Sequence, residues 1–123
     1  MDLNAVAHQL VTLCRQGKDN EALETLYKSD AVSVEAADAG VGSRVTEGMD
    51  GIRGKHEWWA NNFVVHDLAV SDPMPHGSDR FAVIFEMDTT HKESGQRTQM
   101  KEVAIYTVDD GKISREEFFY AQG

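Results

Sequence analysis

This chain has one cysteine, Cys14, few basic residues and no long apolar run. Each scarcity excludes something. A single cysteine rules out an internal disulfide framework. No apolar stretch approaches the roughly 20 residues that a membrane helix requires, so no membrane partner is expected. The first residues, MDLNAVAHQL, carry an acidic second position and no basic region, which is not the pattern of a secretory signal. A cytoplasmic location is the expectation. Lys and Arg number 12 against 21 Asp and Glu, a net charge of -9. Nucleic-acid binding needs clustered cations and is not expected; anionic ligands and acidic lipid surfaces are disfavoured as well.

Motifs for metal and phosphate are absent too. His8, His56, His66, His76 and His91 are dispersed along the chain with no H-x-x-x-H spacing, so no metal site is expected, and the chemistry considered below needs no cofactor. Gly40, Gly42 and Gly48 do not precede a helix at phosphate-loop spacing. Cys14 lies on an apolar helix face, the setting of a buried, unreactive thiol.

What is present is enough for one folded domain over residues 1–123, with 41% hydrophobic and 27% charged residues. Asp2 can cap a helix over about 3–16, whose apolar side is Leu3, Val6, Ala7, Leu10, Val11 and Cys14. Gly17 ends it. Asp19 can cap a second helix, about 20–28, with Ala22, Leu23, Leu26 and Tyr27 on one face. A short strand follows, Ala31–Glu35, and then a Gly- and Ala-rich loop to Gly48, with a second short strand near 44–46. Asp50 can cap a third helix, about 51–61, which Asn61-Asn62 stops.

Beyond that helix the pattern is all strand: 63–70, 80–90, 97–108 and 112–120. Residues 73–77 and 92–95 read as turns. Asp109-Asp110-Gly111-Lys112 between two β-branched and aromatic runs is a hairpin signal, because Asp-Gly supplies the positive φ of a tight turn. Helices first and antiparallel strands after predict an α+β fold, a curved antiparallel sheet wrapped around the N-terminal helices.

Several tracts together resemble the nuclear transport factor 2-like superfamily, and within it the SnoaL-like branch. They are the two helices around Gly17-Lys18-Asp19, the tract Leu26–Glu35, the tract Gly51–Trp59, and Asp110-Gly111-Lys112-Ile113 before a last strand ending Phe119-Tyr120. The resemblance implies a cystatin-like cone of sheet with a pocket at its open end. It also implies a homodimer through the outer sheet face. It does not imply one activity, since fold and function separate in such families.

Alternation along the hairpin of the last two long strands puts Met100, Glu102, Ala104, Tyr106 and Val108 on one face. The resemblance implies that this face points inward, with Ser114, Glu116, Phe118 and Tyr120 following on the last strand. A one-residue bulge would reverse either assignment. The expected pocket is lined by Tyr27, Glu35, Trp58, Phe85, Met100, Glu102, Tyr106, Phe118 and Tyr120. Glu35 matches the position of the catalytic aspartate in the ketosteroid isomerase pattern and is the expected base, because apolar walls raise a carboxyl pKa. His56 on the third helix is a possible acid-base partner. The tyrosine and acid of the isomerase oxyanion site have no counterpart here; the matching regions hold Leu10-Val11 and Ala104.

Three readings stand at this level. One is a cofactor-independent isomerase, cyclase or dehydratase acting on a small hydrophobic carbonyl compound. The second is a non-catalytic ligand-binding domain. The third is a homodimeric accessory domain in which Val103, Ile105, Ile113 and Phe119 pack across a two-fold axis.

Overall fold

The computed structural model describes residues 1–38 and 42–121. Helix α1 spans Leu3–Arg15, and the Asp2 carboxylate accepts the Ala5 N–H at its start, 2.8 Å. At its end Gly17 adopts φ 71°, the Gly17 N–H donates to Cys14 O and the Lys18 N–H to Leu13 O. That paired closure is a Schellman motif, and it needs the left-handed residue that glycine provides. Helix α2 follows at Asp19–Leu26, so Asp19 is its first helical residue rather than its cap.

The second helix stops two residues earlier than its periodicity suggests. Tyr27 is extended and opens strand β1, Tyr27–Val34, because its backbone pairs with Ile113 in the sheet. Sheet pairing here outweighs helical preference. Strand β2 is Val45–Glu47 and helix α3 is Met49–Asn62, started by Gly48 rather than Asp50. Part of the loop expected between β1 and β2, residues 39–41, lies outside the described residues. Strands β3 (Phe63–Val70), β5 (Arg80–His91), β6 (Arg97–Asp109) and β7 (Lys112–Phe119) fall where alternation places them. The segment expected as a turn at 73–77 contains a further short strand, β4, Met74–His76, on an edge of β5 where Pro75 is tolerated.

The sheet runs β2-β1-β7-β6-β5-β3, with β4 against β5. It is mixed rather than purely antiparallel: β1 and β7 are parallel, since the helical segments and the long β hairpins separate them in sequence. At the β6–β7 turn Asp110 (φ 53°) and Gly111 (φ 75°) supply the two positive φ angles of the expected hairpin. One residue later the register shifts: Val108 faces Ile113, but Thr107 faces Arg115. The extra residue turns Ile113 into the core while Glu116 and Phe118 keep their inward positions. Ile113 is fully buried, so it is removed from the outer face expected to carry a dimer contact.

The core forms where the apolar side of α1 (Val6, Ala7, Leu10, Val11) meets Phe81, Val83, Ala104 and Tyr106 on the sheet. Phe81 and Tyr106 stack at 4.9 Å between ring centres. No helix among the described residues is long and apolar enough to cross a membrane.

Candidate functional site

A cavity of about 380 Å³ lies between the three helices and the sheet. That size suits a small organic molecule. Leu10 and Cys14 of α1, Trp59 of α3, Leu68 of β3 and Phe85 and Met87 of β5 form greasy walls. The polar groups converge from four places: Glu35 just past β1, Lys55 on α3, Glu102 and Tyr106 on β6, and Glu116 on β7.

Glu116 is almost wholly buried, at 3% exposure, and both of its oxygens accept hydrogen bonds. The Tyr27 hydroxyl donates to Oε1. The Ser33 hydroxyl donates to Oε2 at 2.6 Å. Lys55 Nζ then donates to Ser33 Oγ at 2.7 Å and lies 3.5 Å from Glu35 Oε1. The same ammonium stands 5.6 Å from the centre of the Phe118 ring. Alternation along β1 and β7 explains the meeting: Ser33 and Glu116 are register partners in the parallel pair.

Glu102 is different. It has no hydrogen bond or ion pair among the described residues. Burial pushes its carboxyl up to about 7, with the charges of Glu35 and Glu116 adding to the rise and Lys55 opposing it. Burial also drives the Tyr27 and Tyr106 phenols well above their ordinary range, with Glu116 foremost among the charges at Tyr27 and Cys14 among those at Tyr106. Asp19, which also lines the cavity, is raised by burial, partly offset by His56, whose Nδ1 lies 2.8 Å from Asn20 Oδ1.

Of the expected pocket residues, Tyr27, Glu35, Phe85, Glu102, Tyr106 and Phe118 do line the cavity. Trp58 does not. It is 49% exposed and meets Phe63 edge-on, while Trp59 faces the cavity and stacks on Phe63 at 4.2 Å. Neighbouring helix positions point about 100° apart, so only one tryptophan can face inward. Met100 is half-buried beyond the cavity, and its register partner Met87 lines the wall instead. Tyr120 falls past the end of β7, where its hydroxyl meets the backbone of Ala36 and Ala37.

One cluster escaped the sequence reading: Lys55, Ser33 and Glu116 as a hydrogen-bonded set. The inward phase of Glu116 was implied by the family resemblance together with strand alternation. Lys55 had no signal, because a long flexible stem on a helix reveals nothing about where its ammonium ends.

The chain belongs to the SnoaL-like domain family, whose model matches residues 1–120. No protein of curated function matches it. Among solved structures it is similar to a protein from Mesorhizobium loti described as a candidate SnoaL-like polyketide cyclase, with carbohydrate phosphatase written beside that description. The two are 37% identical, with 98% of this chain and 100% of that one covered and a TM-score of 0.91. A Xanthomonas campestris protein of unknown function with a cystatin-like fold is 20% identical over 99% of this chain and 92% of that one, TM-score 0.79. A candidate SnoaL-like polyketide cyclase from Jannaschia sp. CCS1 is 12% identical, with coverages of 96% and 85% and a TM-score of 0.76. The last two likenesses concern the cystatin-like fold alone.

Proposed function

We propose that this SnoaL-like domain binds a small, mainly hydrophobic carbonyl compound in the cavity and moves a proton on it without a cofactor, as an isomerase, cyclase or dehydratase does. The supporting observation is Glu102, a carboxyl with no donor among the described residues, raised to about 7 by burial in a cavity with apolar walls. A carboxyl at that value is both an effective base and an effective acid near neutral pH. Glu35, the base expected from sequence, lies against Lys55 and raises Glu102 by its charge. It serves better as the tuning group than as the proton acceptor.

Lys55 addresses the missing oxyanion stabiliser. Its ammonium has three donors, of which Ser33 takes one. A substrate carbonyl placed near it would gain the electrostatic stabilisation that is usually the largest catalytic contribution. A phosphate ester is a poor candidate, since it would meet the carboxyls of Glu35, Glu102 and Glu116 against one lysine.

Screening small ketones and enones by thermal shift, then following solvent deuterium exchange into those that bind, tests this reading. Exchange that is lost in Glu102→Gln supports it. Binding with no exchange in the unaltered protein leaves a ligand-binding domain instead.

A second reading concerns assembly. Phe119 is 49% exposed and pairs in register with Val103, next to Ile105 on the same outer face of β6–β7. An apolar patch at that position supports a homodimer through the outer sheet.

A further inference from the structure

The charged groups lining the cavity are unequal in number and in pairing. Asp19, Glu35, Glu102 and Glu116 stand against Lys55 and His56. Glu116 is enclosed by Tyr27 and Ser33. Glu35 reaches Lys55 only at 3.5 Å, and its second oxygen, Oε2, is buried with no hydrogen-bond partner among the described residues. Glu102 has no hydrogen-bond donor among the described residues. These last two carboxyls are close enough that the charge of one is felt by the other. A buried acceptor left without a donor, as Glu35 Oε2 is, is costly, and no side chain among the described residues compensates it.

The surroundings narrow what that group is. No set of three ligating side chains among the described residues could hold a metal ion. The aromatic residues lining the same cavity are Trp59, Phe85, Tyr106 and Phe118. Aromatic ring faces attract organic cations, and the Lys55 ammonium already stands over Phe118.

Resting on the small-molecule reading above, we infer that the ligand of this cavity carries a positive charge, an amine or quaternary ammonium on a small apolar body, seated against the Glu35–Glu102 pair. The net charge of -9 draws such a cation toward the mouth and repels anions. Binding also has a chemical consequence. A cation beside Glu35 cancels the charge that helps hold Glu102 up, so Glu102 gives its proton to solvent and becomes the carboxylate. The charges facing Glu102 in this exchange are Glu35, Glu116 and Lys55. The substrate's charge thereby completes the base that acts on it.

The test is isothermal titration of the full chain at pH 7 in two buffers of different ionisation enthalpy. The probes are hexyltrimethylammonium and its neutral tert-butyl isostere. The expected result is binding of the ammonium about tenfold or more tighter than the isostere. About half a proton should leave per ammonium bound, as suits a group half-ionised at that pH. Glu102→Gln should keep the neutral isostere, weaken the preference, since Glu35 remains, and abolish the proton release. Lys55→Met, which removes the competing cation, should strengthen the preference. Equal or tighter binding of the isostere, or an ammonium that binds with no proton released, overturns the inference and leaves the cavity reading intact. Failure of both probes to bind overturns the cavity reading as well.

Discussion

Ser33 and Glu116, 83 residues apart in sequence, share a 2.6 Å hydrogen bond, and Lys55 holds the far side of the same hydroxyl at 2.7 Å. One small side chain therefore couples β1, β7 and α3. Ser33→Ala leaves a buried Glu116 oxygen without a donor and frees Lys55. The expected loss is about 1–3 kcal/mol of stability. Tyr27→Phe removes the other donor, and the double variant should depart from additivity. Urea denaturation of the single and double variants measures both effects.

Stability should fall with pH because of Glu102. Its carboxyl is held at about 7 in the folded chain against an ordinary 4.5, so the neutral form is the one the fold prefers. That contribution is complete below about 4.5 and disappears as pH rises through 7, a loss of roughly 3 kcal/mol above it. Glu102→Gln should match the unaltered chain near pH 4 and exceed it at pH 8. Denaturation midpoints at the two pH values decide the matter.

Lys55→Met should push the Glu102 carboxyl further up, since Lys55 is the charge that opposes the rise. Carbon-detected NMR titration of that carboxyl reads the shift. A downward movement would mean that Lys55 acts on Glu102 in some other way.

Cys14 should be inert in the native chain. Burial pushes its thiol up to about 12, and the nearby charges of Asp19 and Glu116 add to the effect. The thiolate is the reactive form, so an aromatic disulfide reagent at pH 8 should leave the folded chain unlabelled and label it rapidly in denaturant.

If the outer sheet face is the dimer contact, Phe119→Glu should halve the mass seen by light scattering, because a charge would then be buried in an apolar interface. An unchanged mass places any association elsewhere. Ile113 is not a useful site for this experiment, since it belongs to the core.

The amino-acid sequence by itself determined the helices, the long strands, the Asp110-Gly111 hairpin and the resemblance to the SnoaL-like branch. These depend on periodicity, caps and turn residues, which act within a few positions of one another. Only the tertiary structure decided which tryptophan faces the cavity, that Tyr27 begins a strand, and that a bulge sends Ile113 inward. The meeting of Ser33, Lys55 and Glu116 was likewise beyond the sequence, as was the isolation of Glu102. Each of these depends on register between distant segments or on the reach of a flexible side chain. A one-residue shift in register exchanges the two faces of a strand, and the local pattern of residues does not record that shift.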